Sequence, residues 1–185
     1  RDSRYLAEQG VNAIGSDFDQ KTLDYLNQRF PESPLKLARE DASALSFPDK
    51  DLDLSIHNGF WVLFSDDAKI IALLREQARV TRHALVALVH NAENPRIVSA
   101  FAHKAKIDPL YDIRFFHRAE IPALVKAAAL GSHRVRVEKF GGPIDRLLSL
   151  PAGLGSVAKM IVPRLYRFLP WRYVERIALV IELRP

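Results

Sequence analysis

The chain of 185 residues contains no cysteine at all. Disulfides, thiolate metal ligands and a cysteine nucleophile are therefore excluded, and a cytoplasmic setting is expected. No apolar run reaches the roughly 18 residues that a membrane-spanning helix needs, and no secretory signal pattern is present. The six histidines show no ligand spacing supported by acids, so no metal site is expected. Internal repeats and low-complexity segments are also missing. Present instead are 48% hydrophobic and 26% charged residues, the composition of one globular domain spanning residues 1–185. The net charge is +5, and much of the excess lies after residue 130, from Arg134 and Arg136 to Arg176 and Arg184. A basic face for an anionic partner is one reading. An ordinary solvated surface is the plainer one and is preferred, because no aromatic-interleaved nucleic-acid motif accompanies the charge.

Strand and helix patterns alternate through residue 90, which predicts a parallel sheet. The opening residues read as a helix with Ser3 as its cap and Gly10 as its stop. A helix that leads straight into a parallel strand usually has a strand before it, so the expectation is a fragment without its natural N-terminus. Residues 11–16 form an apolar strand that ends at Asp17, and Asp19 caps a helix carrying Leu23, Leu26 and Phe30 at helical spacing. Residues 35–39 and 52–56 read as strands, 66–80 as a helix and 84–89 as a strand covered on both sides. Helices over 95–106 and 118–130 follow, the second stopped by Gly131. Residues 133–140 alternate cleanly, 143–171 are helical and broken by Pro151, Pro163 and Pro170, and 176–183 close the chain as a strand. Two late strands joined by a long link suit an antiparallel addition to one sheet edge.

Three strand ends carry chemistry: Asp17-Phe18, Asp41-Ala42 and His57-Asn58. Open α/β sheets bind ligands outside the carboxyl ends of their strands. The two acceptor oxygens of a carboxylate suit the vicinal diol of a ribose, which is the role read for Asp17. Asp41 can accept from an exocyclic amine on a base, with the Ala42 amide beside it. Phe18 can lie on the base, and the backbone at His57-Asn58 can close the pocket below. Taken singly, each has a plainer reading as a helix cap, a turn acid or a core residue. Their joint occurrence at successive strand ends favours a nucleotide site.

These residues resemble the class I S-adenosylmethionine-dependent methyltransferases of the small-molecule type. The resemblance covers roughly residues 1–91. Residues 1–10 resemble the segment after the family's glycine-rich loop, and Ile14-Gly15-Ser16-Asp17-Phe18-Asp19 resembles its ribose-binding strand end. Asp41-Ala42, followed by Leu45-Ser46-Phe47-Pro48-Asp49 and Leu52-Asp53-Leu54, is the most specific match. The resemblance implies a Rossmann-like, doubly wound, mostly parallel sheet of seven strands with a C-terminal antiparallel strand, the first strand and glycine-rich loop being missing here. It implies S-adenosylmethionine as cofactor, with Asp17 on its ribose, Asp41 on its adenine amine, and His57 near its methionine end. Thr81-Arg82-His83 replaces the family's Pro-Gly-Gly turn and reads as a loop variant.

Methyl transfer to a small-molecule acceptor is the function implied, and a base is needed only if the acceptor must lose a proton. His57, His90 and His117 are the candidates, with Tyr111, Phe115 and Phe116 available for an acceptor pocket or for the core. No catalytic residue is assigned. One alternative is a nicotinamide-dependent oxidoreductase, opposed by the Asp41-Ala42 and Phe47-Pro48 pattern and by the lack of a Tyr-x-x-x-Lys pair. Another is an inactive binding or scaffold domain. Its basic amphipathic stretch from Ala158 to Arg172 could lie on an anionic membrane, although packing over the active site or the sheet edge is preferred.

Overall fold

Periodicity and capping set the helices. A computed structural model describes residues 2–149 and 154–184; Arg1 and Pro151 lie outside them. α1 (Asp2–Glu8) leads to β1 (Ile14–Asp17), α2 (Gln20–Arg29) and β2 (Lys36–Arg39). Asp19 caps α2 as expected, accepting from the Lys21 amide at 3.2 Å. Ser3 lies inside α1 rather than at its cap, whereas Gly10 does take the left-handed φ of 85° that ends the turn.

β3 (Leu52–Asn58), α3 (Asp67–Val80), β4 (Thr81–His90) and α4 (Pro95–Ala105) come next. Thr81-Arg82-His83 is not a loop, because α3 runs directly into β4. The reason is local. The Thr81 hydroxyl donates to the Gln77 carbonyl at 2.7 Å and bonds the Ser55 hydroxyl at 2.7 Å, so one side chain ends the helix and fixes the strand register. α5 (Ile121–Ala128) ends two residues earlier than the sequence suggests, with Ala129 in the left-handed region and Gly131 beyond it. β5 (His133–Phe140), α6 (Leu154–Leu165) and β6 (Arg176–Leu183) complete the chain.

Among the described residues, six strands pair in two sets. β1 and β2 pair in parallel, with Asp17 opposite Arg39. The other sheet has the order β3-β4-β6-β5, with β3 and β4 parallel and β6 antiparallel to both β4 and β5. The late antiparallel pair therefore matches expectation. No hydrogen bonding joins β1 to β3 among the described residues.

Odd-numbered residues of β4 and β6 face one layer of helix. Leu85, Ala87, Val89, Ile177, Leu179 and Ile181 pack with Ile70, Leu73, Leu74 and Ala78 of α3 and with Ile121, Leu124 and Val125 of α5. Each such aliphatic side chain stabilises the fold by about 1.5–3 kcal/mol when fully buried. Trp61 and Phe116 plug the end of this layer where β3 and β4 finish.

Candidate functional site

β1 and β2 end side by side, and the two acids follow from that register. The Glu40 amide donates to the Asp17 carbonyl at 3.0 Å, so Asp17 and Asp41 emerge at the same end of one small sheet. Each carboxylate is half committed. Asp17 Oδ1 accepts from the Asp19 amide at 3.0 Å, and Asp41 Oδ1 accepts from the Ser43 amide at 2.8 Å and its hydroxyl at 2.6 Å. Oδ2 of each has no partner among the described residues. The Ser43 hydroxyl, and then its amide, hold the Asp41 carboxyl below its ordinary pKa, so it stays an acceptor. The Ala42 amide likewise donates to no group among the described residues, while the Ala42 side chain packs on the core. Phe18 stands 74% exposed beside Asp17. Its carbonyl accepts from Arg39 Nε at 3.1 Å, which fixes the backbone under the ring.

A network that sequence reasoning missed holds the loop after Asp41. Glu40 accepts from the Ser46 amide at 2.8 Å and from its hydroxyl, closing residues 41–45 into a tight arch. From α3, Glu76 Oε1 accepts from the Leu45 amide at 2.7 Å. Arg79 donates to the Leu45 carbonyl at 2.8 Å, the Phe47 carbonyl at 3.0 Å and Asp49 at 2.7 Å. The guanidinium is the one side chain with enough fixed donors to serve all of these at once. Glu76 and Arg79 carry no sequence signal of this role, because a charged pair at i,i+3 also describes a solvated helix face.

β3 delivers His57 and Asn58 on the other sheet. The His57 ring lies 4.8 Å from Trp61 and 6.0 Å from Phe60, centroid to centroid. Both of its ring nitrogens are buried without a hydrogen-bond partner among the described residues. Burial pushes its pKa down to about 3, so the imidazole is neutral near pH 7. Asn58 ties three elements together: its amide donates to Asp2 of α1 at 2.6 Å, and its carbonyl accepts from Arg176 of β6. α1 in turn leads into β1, so this bond links the two sheets at the strand ends. At the end of β4, His90 sits against Phe101 and Phe115 at 4.8 and 5.6 Å, and Tyr111 meets Phe101 at 5.6 Å. Burial, and next the nearby Arg176 charge, lower the His90 pKa to about 4. Its Nδ1 is buried and has no hydrogen-bond partner among the described residues. His117 is exposed. Phe116 belongs to the core. No group of three or more potential metal ligands occurs among the described residues.

The donor set fits a nucleoside: open carboxylate oxygens for hydroxyls and an amine, a free amide for a ring nitrogen, and a ring to cover the base. Residues 1–86 match the methyltransferase domain family. No curated protein matches the chain. Among solved structures, a SAM-dependent methyltransferase from Archaeoglobus fulgidus is similar with a TM-score of 0.65 at 18% identity, over 97% of this chain and 79% of that one. A SAM-dependent methyltransferase from Methanosarcina mazei gives 0.61 at 13% identity, over 96% and 84%. Magnesium protoporphyrin IX methyltransferase from Synechocystis, with bound SAH, gives 0.60 at 11% identity, over 98% and 68%. The first 86 residues are thus similar to the methyltransferase domain family, and over nearly its whole length the chain shares the fold of SAM-dependent methyltransferases.

Proposed function

We propose that the protein transfers the methyl group of S-adenosylmethionine to a small-molecule acceptor and holds the cofactor at the joined ends of β1, β2 and β3. One observation carries the assignment of residues. Asp17 and Asp41 leave the same sheet end, each with one oxygen tied to its own loop and the other open. Asp17 accepts from the ribose hydroxyls, and Asp41 accepts from the adenine amine while the Ala42 amide donates to the ring. Phe18 covers the base, and His57 and Asn58 line the methionine end.

The cofactor supplies an activated methyl group on a sulfonium, and its transfer is an in-line displacement. The protein's part is position and dryness. The loop latched by Glu76 and Arg79 presents Asp41 and Ala42 with little freedom left to lose. His57, Trp61 and Phe60 form an uncharged aromatic floor at the end of β3. The rings of His90, Phe101, Tyr111 and Phe115 make an aromatic wall at the end of β4 for the acceptor.

Calorimetric binding of S-adenosylhomocysteine to the full-length protein tests this. Asp17→Asn and Asp41→Asn should each weaken binding by about 10–100-fold, the worth of a hydrogen bond to a charged group. NAD should not compete. Equal affinity in both variants, or displacement by NAD, overturns the assignment.

A further inference from the structure

α6 is turned inside out. Met160, Ile161 and Leu165 recur at the i, i+1, i+5 spacing of one face of α6, and Phe168 follows in the next turn. In a helix packed on its own domain that stripe is covered. Here Met160 is 60% and Phe168 78% exposed, while Val162 on the opposite side is buried. α6 packs chiefly on the 3-10 segment Pro143–Ser149 that precedes it and on the turn Tyr166–Phe168 that follows it. The exposure is fixed in place. Lys139 of β5 donates to the Leu169 carbonyl at 2.6 Å, and the Tyr166 hydroxyl donates to Asp145.

The charge has the same location. From Arg146 to Val174 the sequence holds five basic residues and no acid, which equals the whole net charge of +5. Arg164 lies within the apolar stripe and Arg167 beside it, both exposed and without an ion-pair partner among the described residues.

We propose that this face is a docking surface for an anionic lipid bilayer. Aliphatic and aromatic side chains flanked by unpaired arginines match the acyl boundary and headgroups of such a surface together. Nucleic acid would satisfy the arginines and leave the aliphatic stripe wet. An apolar protein groove would cover the stripe and strand Arg164 within it.

The test is co-sedimentation of the full-length protein with vesicles of phosphatidylcholine alone or mixed with phosphatidylglycerol. Binding is expected only to the mixed vesicles and should fall with added salt. The pair Arg164→Gln and Arg167→Gln should weaken it by about 25-fold, at roughly fivefold for each basic side chain near the surface. Phe168→Ser should weaken it by about tenfold. These positions are exposed, so the variants should unfold like the parent, and their binding of S-adenosylhomocysteine should be unchanged whether or not the cofactor assignment holds. Three results would overturn the proposal: no binding at low salt, equal binding to neutral vesicles, or full displacement by a duplex oligonucleotide. Self-association abolished by Phe168→Ser without vesicle binding would assign the face to a second copy of the chain instead.

Discussion

Arg79 and Glu76, one turn apart on α3, meet through two parallel bonds, Nε to Oε2 at 2.9 Å and Nη2 to Oε1 at 2.7 Å. The pair is a clamp on residues 45–49 more than a helix-surface ion pair. Arg79→Met leaves the Leu45 and Phe47 carbonyls without their donor and should lower the unfolding free energy by about 1–3 kcal/mol. Arg79→Lys should rescue little, since one ammonium cannot reach the same acceptors. Urea unfolding checks both. The hydrogen bond from Arg79 is the main reason that the Glu76 pKa lies below its usual value. Its contribution is therefore present above the unfolded value of 4.5 and is lost as pH falls through the lower folded value.

His57 and His90 make stability fall at mildly acid pH. Their folded pKa values, about 3 and about 4, lie below the ordinary 6.5. The unfolded chain therefore takes up protons that the folded chain refuses. Stability is full above pH 6.5 and declines below it, by about 1.4 kcal/mol per pH unit for each ring, until the folded values are reached. His57→Phe should flatten this slope between pH 6 and pH 4 by roughly half. Unfolding curves across that range, with imidazole proton shifts by NMR, measure it.

Phe18→Ala should separate binding from folding. The ring is exposed, so the unfolding free energy should change by less than about 0.5 kcal/mol. Loss of a stacked aromatic should weaken cofactor binding by about tenfold, since base stacking contributes roughly 1–3 kcal/mol. Calorimetry and thermal unfolding on one sample read both. An unchanged affinity would remove Phe18 from the site.

Asn91 should be costly to replace. It is fully buried at the end of β4, and its amide donates to the Trp171 and Val174 carbonyls at 2.9 Å each. Asn91→Leu leaves both carbonyls without that donor and should lower stability by about 3 kcal/mol. Hydrogen exchange should quicken first over residues 171–175. A variant as stable as the parent would show that water replaces the amide.

Legibility followed sequence distance. β5 and β6 take the bounds the sequence predicts, since strict alternation in one and a nearly unbroken apolar run in the other leave little choice. Asp19 was readable as a cap because its partner amide lies two residues away. Asp17 and Asp41 were readable as strand-end acids, and register alone then brings them to one edge. The Arg79 clamp was not readable, because its acceptors lie 30 to 34 residues upstream. Thr81 was misread for a similar reason. Its hydroxyl does locally what a glycine turn would do, and nothing in a Thr-Arg-His string announces that. The outward face of α6 was hidden because an amphipathic stripe does not say which side water wets.

The charge on β5 has a practical consequence for anyone handling this polypeptide. β5, at the border of the larger sheet, carries Arg134, Arg136 and Glu138 on its wet side, the charged guard that keeps borders apart. Arg134→Val with Arg136→Val should therefore make concentrated solutions aggregate through β5, as read by light scattering.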